Sequence, residues 1–291
     1  MANFLEQTVN GLVNGGFYAM LALGLAVIFG MLKVVNFAHG AFYMLGAFGA
    51  YLCLRELGLS FWWALPLVPV VLGVLGMGLE RAVIHRLTRL DPLYNFLLTF
   101  GLTLILQDLV KWRYGVSANP YEVPAALRGT LRAGSFEFPA YRVFVFGFAV
   151  LACAAVWWLL TRTRIGMVVR AATERPELTG ALGIDVARWT TPVFGFGVAL
   201  AGLAGVLAAP MQAVNPLMGA DLIIVVFAVV VIGGLGSILG SVATGFGVGI
   251  AVAWAQAYAP PVVAQVLVFV VMAAVLLWRP AGLFGREETP A

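Results

Sequence analysis

Long apolar runs separated by short charged clusters set the layout of this chain. A membrane-spanning helix needs about 20 apolar residues, and 26 uncharged residues lie between Glu6 and Lys33. The pattern predicts a first span at about 11–32. Asn36 reads as an N-cap for a second helix, Phe37 to Leu54, ending before Arg55 and Glu56. A third, about 59–79, stops at Glu80-Arg81 and leads into a linker with Arg81, His85, Arg86 and Arg89. The fourth, about 93–110, has an uncharged run of only 16 residues before Asp108. Lys111 follows Asp108 at helical spacing, which predicts a surface ion pair. Residues 113–142, with Pro120, Pro124, Gly129, Gly134 and Pro139, form a sizeable outer loop before a fifth span at about 143–160.

A charged island then interrupts the apolar pattern. Eight of the 30 formal charges fall between Arg162 and Arg188, so loop 162–189 is aqueous. A sixth span at about 191–210 follows, and then 57 residues pass without a formal charge, Leu222 to Trp278. One helix cannot use that length. The breaks at Gly233-Gly234-Leu235-Gly236-Ser237 and Ala259-Pro260-Pro261 divide it into three. The expected fold is an all-α polytopic transmembrane helical bundle of eight to nine spans, one domain over 1–291. With nine crossings and an outer N-terminus, the shorter inner connections carry 11 Lys/Arg against Arg55 outside. That asymmetry orients the C-terminus toward the cytoplasm.

Composition agrees with the pattern: 62% hydrophobic and 10% charged, against roughly 25% charged in a soluble domain. Unbroken apolar runs exclude barrel strands. The net charge of +4 sits at segment ends, so no nucleic-acid partner is implied. Cys53 and Cys153 lie in apolar runs and read as buried small hydrophobes. The start, Met1 to Glu6, lacks the basic stretch of a cleaved signal peptide. No Gly-x4-Gly-Lys-Ser/Thr pattern occurs, so ATP hydrolysis by this chain is not expected. His39 and His85 stand far apart, and no catalytic set, metal ligand set or cofactor site is legible.

The middle of the island builds a short helix. Arg175 stands near the cap, Pro176 fits the first position, and Glu177 complements the positive end of the dipole. Leu178, Ala181 and Leu182 share a face, and Gly183 supplies a left-handed stop. Such a helix either rests on the headgroups or docks in the groove of a cytoplasmic partner. Small-residue ridges, Gly245, Gly249, Ala253 and Ala257 in one segment and Ala201, Gly205 and Ala209 in another, suit close helix packing. Val27-Ile-Phe-Gly-Met-Leu32 and Val231-Ile-Gly-Gly-Leu235 echo each other, through an inverted repeat or through chance.

Four stretches carry a family resemblance. They are Arg170-Ala-Ala-Thr-Glu-Arg-Pro-Glu-Leu-Thr-Gly-Ala-Leu-Gly-Ile184, Val34-Val-Asn-Phe-Ala-His-Gly-Ala-Phe-Tyr-Met-Leu-Gly-Ala47, Ala199-Leu-Ala-Gly-Leu-Ala-Gly-Val-Leu-Ala-Ala-Pro210, and Val231-Ile-Gly-Gly-Leu-Gly-Ser-Ile-Leu-Gly-Ser241 with the ending Arg279-Pro-Ala-Gly-Leu-Phe-Gly285. Together they resemble the LivH-type permeases of branched-chain amino acid importers of the ATP-binding-cassette class. The resemblance implies a multi-pass bacterial inner-membrane subunit that is not itself an enzyme. Its implied partners are a LivM-like second permease, two cytoplasmic ATPase subunits that use the ATP, a periplasmic substrate-binding protein and a small-molecule substrate. It also implies that Glu174, Arg175, Pro176, Glu177, Leu178, Gly180, Leu182, Gly183 and Ile184 form the ATPase-coupling segment. The substrate stays open among branched-chain amino acids, urea, short amides and aromatic acids.

Three sets of residues are candidates for the substrate path. Asn36 and His39 stand at a helix start, where capping and packing compete with substrate contact. Asn95, Thr99 and Thr103 recur every four residues on one helical face. Gly233, Gly234 and Gly236 interrupt a helix and leave backbone groups free, as transporters do at midplane sites. The rival reading of the whole chain is an autonomous channel or secondary carrier for a small polar solute.

Overall fold

With no water in hydrocarbon to bond, a spanning backbone must close its own hydrogen bonds, and helices do so within one segment. A computed structural model describes residues 2–87, 91–133 and 136–285. It contains α1 (Ala2–Leu32), α2 (Ala38–Arg55), α3 (Phe61–Leu79), a π-turn (Glu80–Ile84), α4 (His85–Leu87) and α5 (Pro92–Tyr114). Strands β1 (Thr130–Ala133) and β2 (Phe136–Pro139) follow, then α6 (Ala140–Arg162), α7 (Arg164–Glu174), α8 (Pro176–Ala181) and α9 (Val186–Ala208). The last helices are α10 (Met218–Gly233), α11 (Ile238–Tyr258) and α12 (Pro261–Trp278). Among the described residues six helical stretches are long and apolar enough to cross a membrane: Glu6–Leu32, Phe61–Leu87, Leu93–Tyr114, Ala140–Arg162, Val186–Ala208 and Ile238–Tyr258. Met218–Gly233 and Val262–Trp278 are apolar but shorter. The protein is all-α and polytopic.

Helix ends fall where the side chains cap them. Asn36 Oδ1 accepts the Ala38 amide at 3.1 Å, one residue before the Phe37 cap position. Asp91 accepts from Leu93 at 2.9 Å with Pro92 in the first turn, and Ser237 Oγ accepts from Gly240 at 3.1 Å. Exposed tryptophans gather near helix ends: Trp62 and Trp63 open α3, Trp112 nearly closes α5 and Trp278 ends α12. Amphipathic rings at those positions suit the two membrane–water interfaces.

The chain divides into two units. The first comprises Met1–Ala26, Ala126–Trp158 and Ile224–Ala291. Here the ridge predicted on α11 meets a matching one on α1. A Cβ on Gly245 would run into Ala19, one on Gly249 into Gly15, and one on Gly11 into Ile250. Trp254 stacks on Phe4 and donates to the Thr8 hydroxyl. β1 and β2 pair antiparallel, with Arg132 opposite Glu137 and ion-paired to it at 2.6 Å.

The second unit comprises Val27–Ala125 and Leu159–Ile223. Its centre is α9, packed between α2 and α3. A side chain on Gly46 would collide with the Gly202 backbone, and one on Gly205 with the Tyr43 carbonyl. The backbones of α2 and α9 therefore touch directly, which only small residues permit. Away from the helices, Asn119 and Val214 exchange both backbone hydrogen bonds, at 2.8 and 2.9 Å. They tie two connecting loops together. Burial, with Cys53 close by, pushes the nearby Tyr121 phenol up to about 12.

Four expectations need correction. The third helix does not stop at Glu80; it continues through the π-turn to Leu87. The fourth extends to Tyr114, because Asp108 and Lys111 pair on its exposed side at 2.9 Å and do not end it. The island holds a second helix, α7, capped by the Thr163 hydroxyl at 3.1 Å from the Gly166 amide. The outer loop carries a hairpin that the all-α expectation did not contain. Arg89, Gly134 and Arg286 lie outside the described residues.

Substituting Gly46 by Leu is expected to cost about 3 kcal/mol, because neither backbone can move aside without breaking helix packing. Gly101, whose Cβ would meet nothing, should accept Ala with a gain of up to about 1 kcal/mol. Thermal unfolding of the two variants in detergent checks the contrast.

Candidate functional site

The island folds as a corner of three helices in the second unit. α7 buries Gly166, Val169 and Ala172 and exposes Arg164, Ile165, Met167 and Arg170. Gly166 seats on the last turn of α6, where a Cβ would collide with the Leu160 carbonyl. Arg175 then serves as C-cap of α7 and N-cap of α8 at once. Pro176 and Glu177 occupy the first turn of α8, as the sequence predicted. Leu182 and Gly183 follow α8, and Gly183 takes φ 85°. Its amide bonds to Gly180 O at 2.9 Å, and the Ile184 amide bonds to Thr179 O at 3.3 Å. That pair of bonds is a Schellman stop.

One side of α8 is fixed and the other is bare. Thr179 is buried and its hydroxyl donates to Arg175 O at 2.9 Å. Leu178 is 55% exposed, Leu182 is 82% exposed, and Ala181 is exposed between them. A Cβ on Gly180 would meet nothing within 4 Å among the described residues. Glu174, Arg175, Glu177 and Gly183 are exposed as well, and Ile184 is half-buried. The nine predicted coupling residues thus form one short, capped segment.

The polar residues predicted on the fourth helix come together with those at the second helix start. Asn95, Thr99 and Thr103 are all buried, and Gln107 extends the same four-residue spacing. The Thr99 hydroxyl accepts the Phe37 amide at 3.3 Å, and Phe37 meets Phe96 edge to face. Asn36 and His39 are buried beside this junction. Part of the stripe is satisfied internally: Thr103 donates to Thr99 O at 2.9 Å and Asn95 Nδ2 to Leu87 O at 3.1 Å. Asn36 Nδ2 and Asn95 Oδ1 have no partner among the described residues. A buried donor and a buried acceptor left unmet both cost stability.

Gly233, Gly234 and Gly236 lie in the first unit, at the break between α10 and α11. Gly234 and Gly236 take φ 101° and 82°. The carbonyls that end α10 are not left open, however. The Leu283 amide donates to Ile232 O at 2.8 Å and the Phe284 amide to Gly233 O at 3.1 Å. The C-terminal segment therefore caps the break. Beside it a cavity of about 260 Å³ is bounded by Thr244, Val248, Val268 and Phe284, among others. The Thr244 hydroxyl, itself buried, has no partner among the described residues.

Sequence reasoning missed Glu80, taken for a helix stop and found fully buried. The signal was its place in the series Leu72, Gly76, Glu80, spaced by four on the packed face of α3. Gln107 was missed by not extending the stripe one turn further. Among the described residues no three His, Cys, Asp or Glu side chains gather to hold a metal ion.

Apolar helices with buried polar stripes and glycine-lined contacts define a multi-pass helical membrane protein. The profile described as branched-chain amino acid transport system / permease component matches residues 7–276. The chain belongs to that family. It is 28% identical to the high-affinity branched-chain amino acid transport system permease protein LivH of Salmonella typhimurium, covering 98% of this chain and 96% of that one. It is 29% identical to BraD, the corresponding permease protein of Pseudomonas aeruginosa, over 98% and 97%. LivM of Escherichia coli is 28% identical over 76% of this chain and 57% of its own length. No solved structure matches. The protein accordingly resides in the inner membrane as a multi-pass permease component.

Cysteines placed singly at 95, 99, 103 and 107, with Cys53 and Cys153 replaced by Ala, distinguish a water-lined stripe from a packed one. A water-lined stripe should react with a charged thiol reagent from solution at least about tenfold faster than a control on the lipid-facing side of α5, because only the wetted thiol forms thiolate. Equal, slow labelling at all positions would assign these residues to packing alone.

Proposed function

We propose that this chain is one membrane-spanning subunit of an ATP-binding-cassette importer for branched-chain amino acids, moved by separate ATPase subunits through the 174–184 segment. In this reading the whole of 1–291 acts as one permease domain with nine crossings. The N-terminus is periplasmic, and the C-terminus and loop 162–189 are cytoplasmic. A LivM-like permease pairs with it, a periplasmic binding protein delivers the substrate, and two ATPases hydrolyse the ATP. This chain holds no cofactor.

The observation that carries the proposal is the asymmetry of α8. A six-residue helix is too short to persist on its own, yet it opens on Pro176, closes on a Schellman stop and buries Thr179. What it presents outward is the apolar face Leu178, Ala181 and Leu182 with Glu177 in the first turn. Such a face fits the groove of a partner, helix-in-groove fashion. Nucleotide-driven approach of the two ATPases displaces α8, and the displacement rocks the spans between outward and inward access. Substrate passes along the buried polar groups at Asn36, His39, Asn95, Thr99 and Thr103. There a buried donor and acceptor serve the carboxylate and ammonium of an amino acid. Branched-chain amino acids are the favoured class because LivH and BraD carry that description over nearly their full lengths.

Gly180→Trp tests this, because a side chain added at Gly180 starts in open space, with nothing among the described residues within 4 Å of its Cβ. Uptake by the assembled system should fall at least about tenfold, the size of one blocked contact at an interface centre. The amount of permease in the membrane should stay unchanged. Normal uptake in this variant would remove α8 from the interface. Solute flux through liposomes that contain this chain alone would favour an autonomous channel or carrier instead.

A further inference from the structure

We propose that Glu80 is a positioning residue for coupling: its hydrogen bond to Thr191 clasps the start of α9 to α3, so that displacement of α8 is passed to α3. This rests on the coupling reading of α8. Thr191 lies seven residues beyond Ile184, in the second turn of the helix that follows the coupling segment. Its hydroxyl donates to Glu80 Oε2 at 2.5 Å.

The rest of the α3–α9 contact explains why the clasp matters. The two helices run antiparallel in close register. Leu72 meets Gly202, Gly76 meets Val198, Met77 meets Gly195, and the next pair along is Glu80 with Thr191. Glycine contacts of this kind bring backbones together but offer no directional bond. They permit sliding along the groove. The carboxylate–hydroxyl bond is directional, and it stands at the end of the interface nearest α8. It can therefore fix the axial register of α9 on α3 at the point where force enters.

The π-turn places the carboxylate there. Glu80 begins the five-residue π-turn, below which the helix departs from regular α geometry. Turns of this kind often mark functional positions. Oε1, the other carboxylate oxygen, is buried and accepts no hydrogen bond, with His85 Nδ1 3.5 Å away. A fully buried carboxylate adds little net stability over an apolar pair. Its one bond among the described residues, to Thr191, is a directional one.

The experiment uses the whole importer, purified with its ATPase subunits and reconstituted, with uptake and ATP hydrolysis measured together. Thr191→Val keeps the shape and removes the hydroxyl. It is expected to lower amino acid taken up per ATP by about tenfold, the scale of one lost bond to a buried charge. The ATPase subunits should still co-purify. Thr191→Ser should restore the ratio to within about threefold, since the hydroxyl returns. If Thr191→Val does not assemble, Glu80→Leu combined with Thr191→Val removes both polar groups, which can be nearly neutral for folding. That double variant should assemble and remain uncoupled. An unchanged uptake-to-ATP ratio in either variant would overturn the proposal, whatever the amount of complex recovered. Gly180→Trp run in parallel separates the two ideas. If it too transports normally, the docking reading has failed; if it alone uncouples, only the clasp has.

Discussion

In a bilayer the cost of an unpaired backbone group governs everything else. An amide or carbonyl without a partner in hydrocarbon costs several kcal/mol, so the chain is helical wherever it is apolar and must finish each helix deliberately. The break between α10 and α11 shows the consequence. Gly234 turns the chain with φ 101°, which strands the last carbonyls of α10. The amides of Leu283 and Phe284 return to meet them. The tail after α12 is thus part of the break and completes it.

The same constraint shapes packing. Lipid is as apolar as leucine, so helices gain little by burying leucine against each other and gain more by close backbone approach. Both units use this device independently. Gly11 and Gly15 of α1 face Gly249 and its neighbours on α11 in one, and Gly46 of α2 faces Gly202 and Gly205 of α9 in the other. Close approach leaves small separations without directional bonds. Register then depends on the few polar pairs buried between the helices. Glu80–Thr191 and Phe37–Thr99 are two of these in the second unit.

How much of this was legible in the sequence depended on the kind of signal. Spans were legible because a charge in hydrocarbon is costly, and the charges therefore mark helix ends. α8 was legible because Pro176, Glu177 and Gly183 each satisfy a specific need of a helix terminus. α7 was not, since its arginines drew attention from the buried spacing of Gly166, Val169 and Ala172. The π-turn left no compositional mark: a shifted hydrogen bond changes no residue type. For the same reason Glu80 was taken as a boundary, though it continues the buried face of α3. The hairpin at 130–139 was hidden by its short strands among Gly and Pro residues.

Two populations of polar residue emerge within the second unit, and they differ in what completes them. Thr103, Thr179 and Thr190 return their hydroxyls to carbonyls of their own helix, and so need nothing from elsewhere. Asn36 and Asn95 each keep one group without a partner among the described residues while making one bond that fixes the side chain. A residue of the first kind can be replaced by an apolar one of similar shape at modest cost. One of the second kind is held in place yet incomplete, so the cost of its unmet group falls on the fold. Incompleteness of this kind, more than polarity itself, sets Asn36 and Asn95 apart from the hydroxyls that bond within their own helix.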